Sequence, residues 1–276
     1  MNKLSLEKQK LVIKCLVDGN SIRATVRITG VAKNTVVKLL IDVGKACLEY
    51  QDKTLRNLTC SKIQCDEIWS FCYAKEKNVP KDLKGVFGYG DVWTFTAICA
   101  DSKLIPCWHI GRRDIENATS FMEDLAGRLK NKVQLTTDGH KMYLEAVESA
   151  FGGDIDFSQL IKIYGPSPET EKRYSPAECI GTEKHKITGS PKDKDISTSY
   201  VERQNLTMRM SMRRFTRLTN GFSKKVENLF YATSLYFMYY NFCRIHQTLR
   251  VTPAMEAKVT DRLWDVEDIL NLLNLN

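Results

Sequence analysis

The sequence lacks three features that would each indicate a class of protein. No apolar run reaches the roughly 18 residues of a membrane span, and the N-terminus MNKLSLEKQK is polar rather than a signal peptide. The paired CxxC spacing of a zinc site is also missing, although the chain has nine cysteines. We therefore expect a cytoplasmic protein with no membrane partner, whose cysteines are reduced core thiols.

Acidic residues are scarce in two stretches of the chain. Residues 1–46 hold nine Lys and Arg against three acids, and residues 203–225 hold seven against none, within a net charge of +8. Ordinary exposed surfaces mix the two signs, and a protein that contacts phosphates gains affinity by releasing their counterions. The distribution favours a protein that binds a polyanion. On charge alone, a merely soluble basic surface is the other interpretation.

The first 50 residues have the pattern of a helix-turn-helix DNA-binding domain. Apolar spacing predicts helices over 5–18, from the N-cap Ser21 to Ile28, and over 33–48, with a Gly30 turn before the last. The last helix of such a motif enters the major groove. A small helical bundle with an accidental basic face is the alternative. The expected DNA-facing residues are Lys33, Asn34, Thr35 and Lys38, and the polar stretch 51–60 is expected to be a linker.

From residue 61 to 250 the pattern changes to that of an α/β domain. Strands are predicted over 62–73, 92–100, 104–111 and 133–137, with helices over 115–129, 141–150, 199–216 and 225–245. This order is that of a ribonuclease H-like, or retroviral-integrase-like, fold, in which the fourth strand lies parallel beside the first. Residues 164–198 hold four of the seven prolines and are expected to be an irregular insertion. Residues 251–276 are expected to be a C-terminal helical tail.

Three acids stand where burial would penalise a charge. Asp66 interrupts the first strand, Asp138 ends the fourth, and Glu202 opens a helix. A cap or a turn would explain any one of them alone, but together they suit phosphodiester chemistry at two metal ions. We predict that all three are catalytic residues and ligands of two Mg²⁺ or Mn²⁺ ions, with Asp66 bridging both. Glu67 should point to the opposite face of the strand as a bystander.

A positive surface is predicted to lead away from this acidic site. Helical spacing places Asn205, Arg209 and Arg213 in line with Glu202, where they would follow the DNA backbone. A solvated helix face is the alternative. Four further basic residues extend the surface: Arg214, Arg217, Lys224 and Lys225. His140 and His246 are secondary candidates for contact with the leaving strand, although each is more often a structural histidine.

These residues resemble the transposases of the bacterial and archaeal insertion-sequence-one family. The similarity to the family's glutamate helix and the region after it is carried by SYVERQNLTMR (199–209), MRRFTRLT (212–219), FSKK (222–225), YNFCRIH (240–246) and LRVTPAM (249–255). Its two aspartate motifs are similar to DEIWSF (66–71) and TDGHKMY (137–143). The chain departs from many relatives in having only Cys15 where they carry an N-terminal zinc ribbon, and in a longer stretch between the second and third acids.

The resemblance implies an Asp-Asp-Glu recombinase. Such an enzyme hydrolyses DNA at the ends of its element and joins the exposed 3′-hydroxyls to target DNA. It also implies that the helix-turn-helix recognises terminal inverted repeats in double-stranded DNA, within a homodimer or larger synapse at the nucleoid. Two alternatives stay open: a metal-dependent nuclease of the same fold without strand transfer, and a DNA-binding repressor derived from a transposase.

Overall fold

The computed structural model describes residues 4–165, 177–216 and 219–274, and this part of the chain is built around one sheet of six strands. The strands are β1 (Lys62–Cys72), β2 (Gly90–Cys99), β3 (Trp108–Gly111), β4 (Gln134–Asp138), β5 (Asp156–Tyr164) and β6 (Cys179–Thr188), in the order β3-β2-β1-β4-β5-β6. β1, β2 and β3 are antiparallel, β4 and β5 run parallel to β1, and β6 returns antiparallel. This mixed α/β sheet is compatible with a ribonuclease H-like fold, and the predicted parallel pairing of the first and fourth strands is confirmed.

Helices cover both faces of the sheet. They are α1 (Leu6–Val17), α2 (Ile22–Thr29), α3 (Lys33–Thr54), α4 (Ile115–Ala126), α5 (Met142–Phe151), α6 (Ser199–Ser211), α7 (Val226–Phe242), α8 (Pro253–Glu256) and α9 (Val266–Asn271). Because successive strand residues face opposite ways, Cys65 and Phe95 belong to the hydrophobic cluster that includes α4 and α5. Ile68 and Ile98 belong to the cluster that includes α6. None of the described helices is long and apolar enough to cross a membrane.

The two ends of α2 are set by a capping serine and by a glycine. The Ser21 hydroxyl caps α2 as predicted, accepting a hydrogen bond from the backbone N–H of Ala24 at 3.1 Å. Gly30 then ends α2 with a φ of +68°, a left-handed conformation that costs glycine little.

All nine cysteines lie in the described residues and are free thiols, and seven of them are buried. Cys179 is exposed and Cys243 is half-buried, so these two are exceptions to the expected core thiols.

The segment expected to be a linker is part of the core. α3 continues to Thr54, and the buried Gln51 side chain donates to the Ser234 carbonyl oxygen of α7 at 3.2 Å. Leu55 and Leu58 are buried as well. The stretch looked like a linker because most of its polar residues are exposed, while the buried Gln51, Leu55 and Leu58 are too widely spaced to show a helix or strand pattern. The N-terminal helices therefore do not end as a separate unit at residue 50, since they share one hydrophobic cluster with the sheet.

The stretch from 164 to 198, expected to be irregular, contains a strand in its described part. β6 pairs with β5 from Phe157 to Tyr164, with two register irregularities. Most of its side chains are exposed. A strand covered on neither face shows no apolar alternation, which explains why the sequence pattern missed it. Three of the four prolines in this stretch, Pro166, Pro168 and Pro176, lie outside the described residues.

Helices α3 and α7 approach each other closely at Gly44. A Cβ atom added at Gly44 would lie 2.5 Å from the Tyr231 carbonyl oxygen and 2.6 Å from the Tyr231 Cβ. The Ser234 hydroxyl donates to the Gly44 carbonyl oxygen at 2.8 Å across the same contact. The two backbones are thus too close for any residue other than glycine at position 44. This close contact packs the N-terminal helices against the rest of the protein.

We predict that Gly44→Ala lowers the free energy of unfolding by about 1–3 kcal/mol, the usual cost of overpacking. This loss should appear although alanine is the better helix former by about 1 kcal/mol. Urea denaturation measures the change. Gly127→Ala is the matched control, because an added Cβ there meets no atom closer than 3.5 Å. A Gly44→Ala protein as stable as the parent would show that the two helices can separate at no cost.

Candidate active site

Asp66 lies where the central strand loses its parallel neighbour. The last parallel pair joins Gln64 of β1 to Thr136 of β4. Continuing that register by two residues places Asp66 beside Asp138, which is the last residue of β4. The two carboxylates therefore meet because two parallel strands carry an acid at the same level, as the sequence analysis expected of the first and second acids.

Helix α6 is anchored to β1 by the side chain of Gln64. Its Oε1 accepts hydrogen bonds from the backbone N–H groups of Tyr200 and Val201, at 2.8 and 3.2 Å. These N–H groups have no partner within the helix, so an acceptor from the strand satisfies them. Glu202 lies in the same first turn and is thereby brought to the part of β1 that carries Asp66. Sequence reasoning missed Gln64. The one signal that could have found it is its position: it is a polar residue two before Asp66, on the same face of the strand, and it is buried.

The Asp66 carboxylate is partly desolvated and accepts two hydrogen bonds. The backbone N–H of Glu67 donates to Oδ1 and the Asn205 amide to Oδ2, both at 2.8 Å. Burial, together with the neighbouring charges of Glu67 and Asp138, raises the pKa of Asp66 to about 7. A cation bound beside Asp66 would therefore stabilise the charged form of this carboxylate.

Glu67 belongs to the acidic cluster, contrary to the expectation that it would be a bystander. Carboxylate oxygens of Asp66, Glu67 and Asp138 all lie within 4.8 Å of one another. The Glu67 side chain does point away from α6, towards Tyr143. However, β4 ends at Asp138 while β1 continues, so the Asp138 carboxylate lies at an open strand edge that both faces of β1 can reach. Face alternation alone could not reveal this proximity.

Glu202 lines the same cleft as the two aspartates but has other partners. The Thr198 hydroxyl donates to its Oε1 at 2.5 Å, and the Lys162 ammonium pairs with its Oε2. Lys162 lies on β5, two residues beyond the one that pairs with Asp138. The cleft measures about 610 Å³, and its lining includes Asp66, Glu67, Asp138, His140, Lys162, Thr198, Glu202, Asn205 and Arg209. The three predicted acids thus line one cleft, in which Glu202 is paired with Lys162 and Asp138 with Arg113.

The donor set of this cleft suits a hard divalent cation. Mg²⁺ and Mn²⁺ prefer carboxylate oxygens and keep other positions for water or phosphate. Asp66 and Asp138 offer such oxygens within 4.8 Å of each other, with Glu202 in the same cleft. A bound cation would also compensate the desolvated Asp66 charge, whose two hydrogen bonds come from neutral donors, the Glu67 backbone N–H and the Asn205 amide. The residues present therefore fit the metal that the sequence analysis expected.

A second, basic groove of about 1140 Å³ lies between the N-terminal helices and the segment around 212–236. Its basic lining residues are Arg23, Lys33, Lys38, Arg213, Arg214, Lys224 and Lys225. Glu227 is the one acid that lines it among the residues described. Lys38 already pairs with Asp42 at 2.6 Å. The groove brings together the two basic stretches that are far apart in the sequence, 1–46 and 203–225.

Arg214 is the most desolvated cation of the groove. Burial lowers its pKa to about 10, because water no longer stabilises the charged guanidinium. Its Nη1 donates to the Ser223 hydroxyl at 3.2 Å. Within the described part of the chain, no carboxylate forms an ion pair with it. A guanidinium in this setting favours an anion from outside the protein, such as a phosphate.

The structure separates the residues that were expected to form one stripe after Glu202. Asn205 is buried and donates to Asp66, and Arg209 lines the acidic cleft. α6 ends at Ser211 rather than at 216, and the extended Met212 turns Arg213 into the basic groove. The helical spacing failed here because the helix is shorter than predicted. Arg217 lies outside the described residues.

The remaining candidates are distributed between the two sites. Asn34 lines the basic groove together with Lys33, whereas Thr35 is exposed on the same helix turn. The His140 backbone N–H donates to Asp138 Oδ1 at 3.0 Å, and His140 lines the acidic cleft. His246 follows α7, where its backbone N–H donates to the Val251 carbonyl oxygen at 2.9 Å. It is absent from the described lining of the cleft.

Comparisons with known proteins return little. No protein-family model and no curated protein matches the chain. Among solved structures, the chain is similar to the Mos1 strand transfer complex, with 10% sequence identity, a TM-score of 0.25, and coverage of 86% of this chain and 77% of that chain. A likeness at this level carries no weight for fold or function, which depend on the residues of this chain.

We predict that Asp66→Asn stabilises the metal-free protein at pH 8. Between the ordinary value of 3.8 and about 7, the folded Asp66 keeps a proton that the unfolded chain releases. The free energy of unfolding therefore falls as the pH rises through this window, and removing the carboxylate restores it. In EDTA at pH 8, Tm should rise by about 2–4 °C, the shift that 1 kcal/mol produces in a domain of this size. The gain should shrink as the pH falls from about 7 and should be absent below about pH 4, where the folded and unfolded chains both keep the proton.

Asp156 supplies a control of opposite sign. A hydrogen bond from the Ser190 backbone N–H and the charge of Lys132 lower its pKa. Asp156→Asn should therefore destabilise the protein at pH 8, with the loss fading as the pH falls through the ordinary range of aspartate. If Asp66→Asn instead lowers Tm at pH 8, the Asp66 carboxylate contributes more through its two hydrogen bonds than its desolvation costs.

Proposed function

We propose that this chain is a DNA transposase of the Asp-Asp-Glu type. The observation that carries the proposal is the convergence of Asp66, Asp138 and Glu202 on one cleft, through the parallel register of β1 and β4 and the Gln64 anchor of α6. The finer assignment to the insertion-sequence-one family is supported by the residue motifs around each of these acids. Hydrolysis at the element's ends and joining of 3′-hydroxyls to target DNA are the reactions proposed.

The residues of the cleft divide into ligands and supporting groups. Asp66, Asp138 and Glu202 would hold two Mg²⁺ or Mn²⁺ ions, with Asp66 as the shared ligand. When bound, such ions activate the attacking oxygen and stabilise the leaving oxygen of an in-line displacement. Asn205 orients Asp66 by donating to Oδ2. Lys162 neutralises Glu202 in the resting protein and must release that carboxylate for it to become a ligand.

The basic groove supports double-stranded DNA as the substrate. Its cations lie on two walls, with Lys33 on the start of α3 and Arg213, Arg214, Lys224 and Lys225 on the segment between α6 and α7. We propose that the helix-turn-helix residues Lys33, Asn34, Thr35 and Lys38 recognise the terminal inverted repeats. The second wall would then contact the phosphate backbone. Recombination of two ends requires two active sites, so a homodimer or larger synapse is part of the proposal.

We predict that Asp66→Asn, Asp138→Asn and Glu202→Gln each abolish cleavage and strand transfer. Loss of a metal ligand removes several kcal/mol of transition-state stabilisation, a decrease on the order of 10³-fold or more. The assay uses duplexes with the inverted repeats that flank the gene, Mg²⁺, and gel separation of nicked and joined products. DNA binding in EDTA should be unchanged. Asp154→Asn, an exposed acid outside the cleft, is the control.

This assay also separates the proposed function from its alternatives. Cleavage without joined products would favour a metal-dependent nuclease of the same fold. Binding without cleavage by the parent protein would favour a repressor. Cleavage near the parent rate by any of the three variants would remove that acid from the catalytic set.

The groove generates a prediction on salt dependence. Lys33→Gln combined with Lys225→Gln should reduce the slope of log K against log salt for duplex DNA by about 1.8, because each phosphate contact contributes about 0.9. Fluorescence anisotropy in EDTA measures the slope. Lys45→Gln is the control, since Lys45 is exposed on the same helix as Lys33 but does not line the groove. An equal slope for the double variant and the control would exclude the groove from DNA contact.

A further inference from the structure

The guanidinium of Arg113 is fixed in place beside the acidic cleft. Its Nε donates to Glu67 Oε1 at 2.5 Å, and its Cζ lies 4.6 Å from the centre of the Trp93 ring. These two contacts leave Nη2 facing Asp138, at 3.6 Å from Oδ2. Arg113 follows β3, so it reaches the cleft from an element that supplies none of the proposed ligands. The sequence gives no local signal for this contact.

Both carboxylate oxygens of Glu67 already have partners. Oε1 accepts from Arg113, and Oε2 accepts from the Tyr143 hydroxyl at 2.8 Å. The side chain has no exposed surface, and a charge buried to this extent needs a paired cation. Although Glu67 lies within 4.8 Å of Asp66 and Asp138, its geometry is that of a clamp on Arg113 rather than of a metal ligand.

Asp138 needs such support because it ends a strand and its side chain is 36% exposed. The His140 backbone N–H holds Oδ1 at 3.0 Å. Arg113 faces the other oxygen, so the two contacts together fix the rotation of the carboxylate. The guanidinium also lowers the repulsion between Asp138 and the neighbouring carboxylates of Asp66 and Glu67. Groups of this kind around a metal site are known to orient the ligands themselves.

We propose that Arg113, clamped by Glu67, is a positioning residue that orients the Asp138 carboxylate for divalent-cation binding. The inference rests on the proposed metal-dependent function and adds the two residues that prepare one of its ligands. Tyr143 completes the arrangement by holding the second oxygen of Glu67. Neither Arg113 nor Glu67 contacts the cation in this scheme.

The test is a calorimetric titration of the full chain with Mn²⁺ in the absence of DNA. Arg113→Gln and Glu67→Gln should each weaken the Mn²⁺ Kd by about 10–100-fold, the usual effect of removing a group that orients a ligand. Arg113→Lys keeps the charge but loses the fixed fork and should recover only part of the affinity. The Glu67→Gln, Arg113→Gln double variant should bind Mn²⁺ as tightly as the single variant with the lower affinity, because the two residues act as one unit.

Two results would overturn the positioning role. If Glu67 is itself a ligand, Glu67→Gln weakens Mn²⁺ binding while Arg113→Gln leaves it unchanged or tightens it, since a competing cation is gone. Additive losses in the double variant would equally contradict a single unit. Asp66→Asn and Asp138→Asn distinguish this failure from that of the proposed function: if both bind Mn²⁺ like the parent, the metal site and the positioning role fall together.

Tyr143→Phe is the control for loss of folding, because it removes one hydrogen bond to Glu67 and leaves the buried ring in place. It should weaken the Mn²⁺ Kd less than Arg113→Gln does, with Tm close to that of the parent. Thermal melting in EDTA accompanies every titration. A variant set in which Tm falls while the Mn²⁺ Kd stays at the parent value would assign Glu67 and Arg113 to the core alone and overturn the proposal.

Discussion

The mutual repulsion of carboxylates where β4 ends beside β1 is the constraint on which the site depends. Desolvation of Asp66 and the nearby charges of Glu67 and Asp138 make this part of the sheet unfavourable in the absence of cations. The protein compensates with donors from separate elements: Asn205 from α6, Arg113 after β3, and Lys162 from β5. The site therefore forms only when the sheet and α6 have assembled.

The elements that carry the acids could be predicted because each acid breaks a local pattern. Asp66 interrupts an apolar strand, Asp138 follows a short one, and Glu202 opens a helix in a stretch rich in basic residues. The order of strands and helices then predicted the parallel pairing of β1 with β4, which brings the two aspartates level. Local periodicity was sufficient where one face of an element is buried and the other is not.

The rest could not be predicted because it depends on contacts between distant residues. Gln64 reaches α6 and Arg113 reaches Glu67, and neither contact leaves a mark on nearby residues. Strand alternation assigned Glu67 to the wrong role because it describes directions, whereas the end of β4 sets the distance to Asp138. The linker between 51 and 60 failed for a related reason: the polar side chain of Gln51 is buried and paired with α7.

The direct packing of the N-terminal helices on the rest of the protein, in place of a flexible linker, bears on how a DNA substrate would be positioned. α3 runs without interruption from Lys33 in the basic groove to the buried Gln51, and at Gly44 it packs directly on α7. The N-terminal helices cannot swing relative to the cleft without breaking this shared core. Under the proposed function, this rigid packing would fix the number of base pairs between the recognised sequence and the cut. One extra base pair would rotate the scissile bond about the duplex axis, away from the carboxylates.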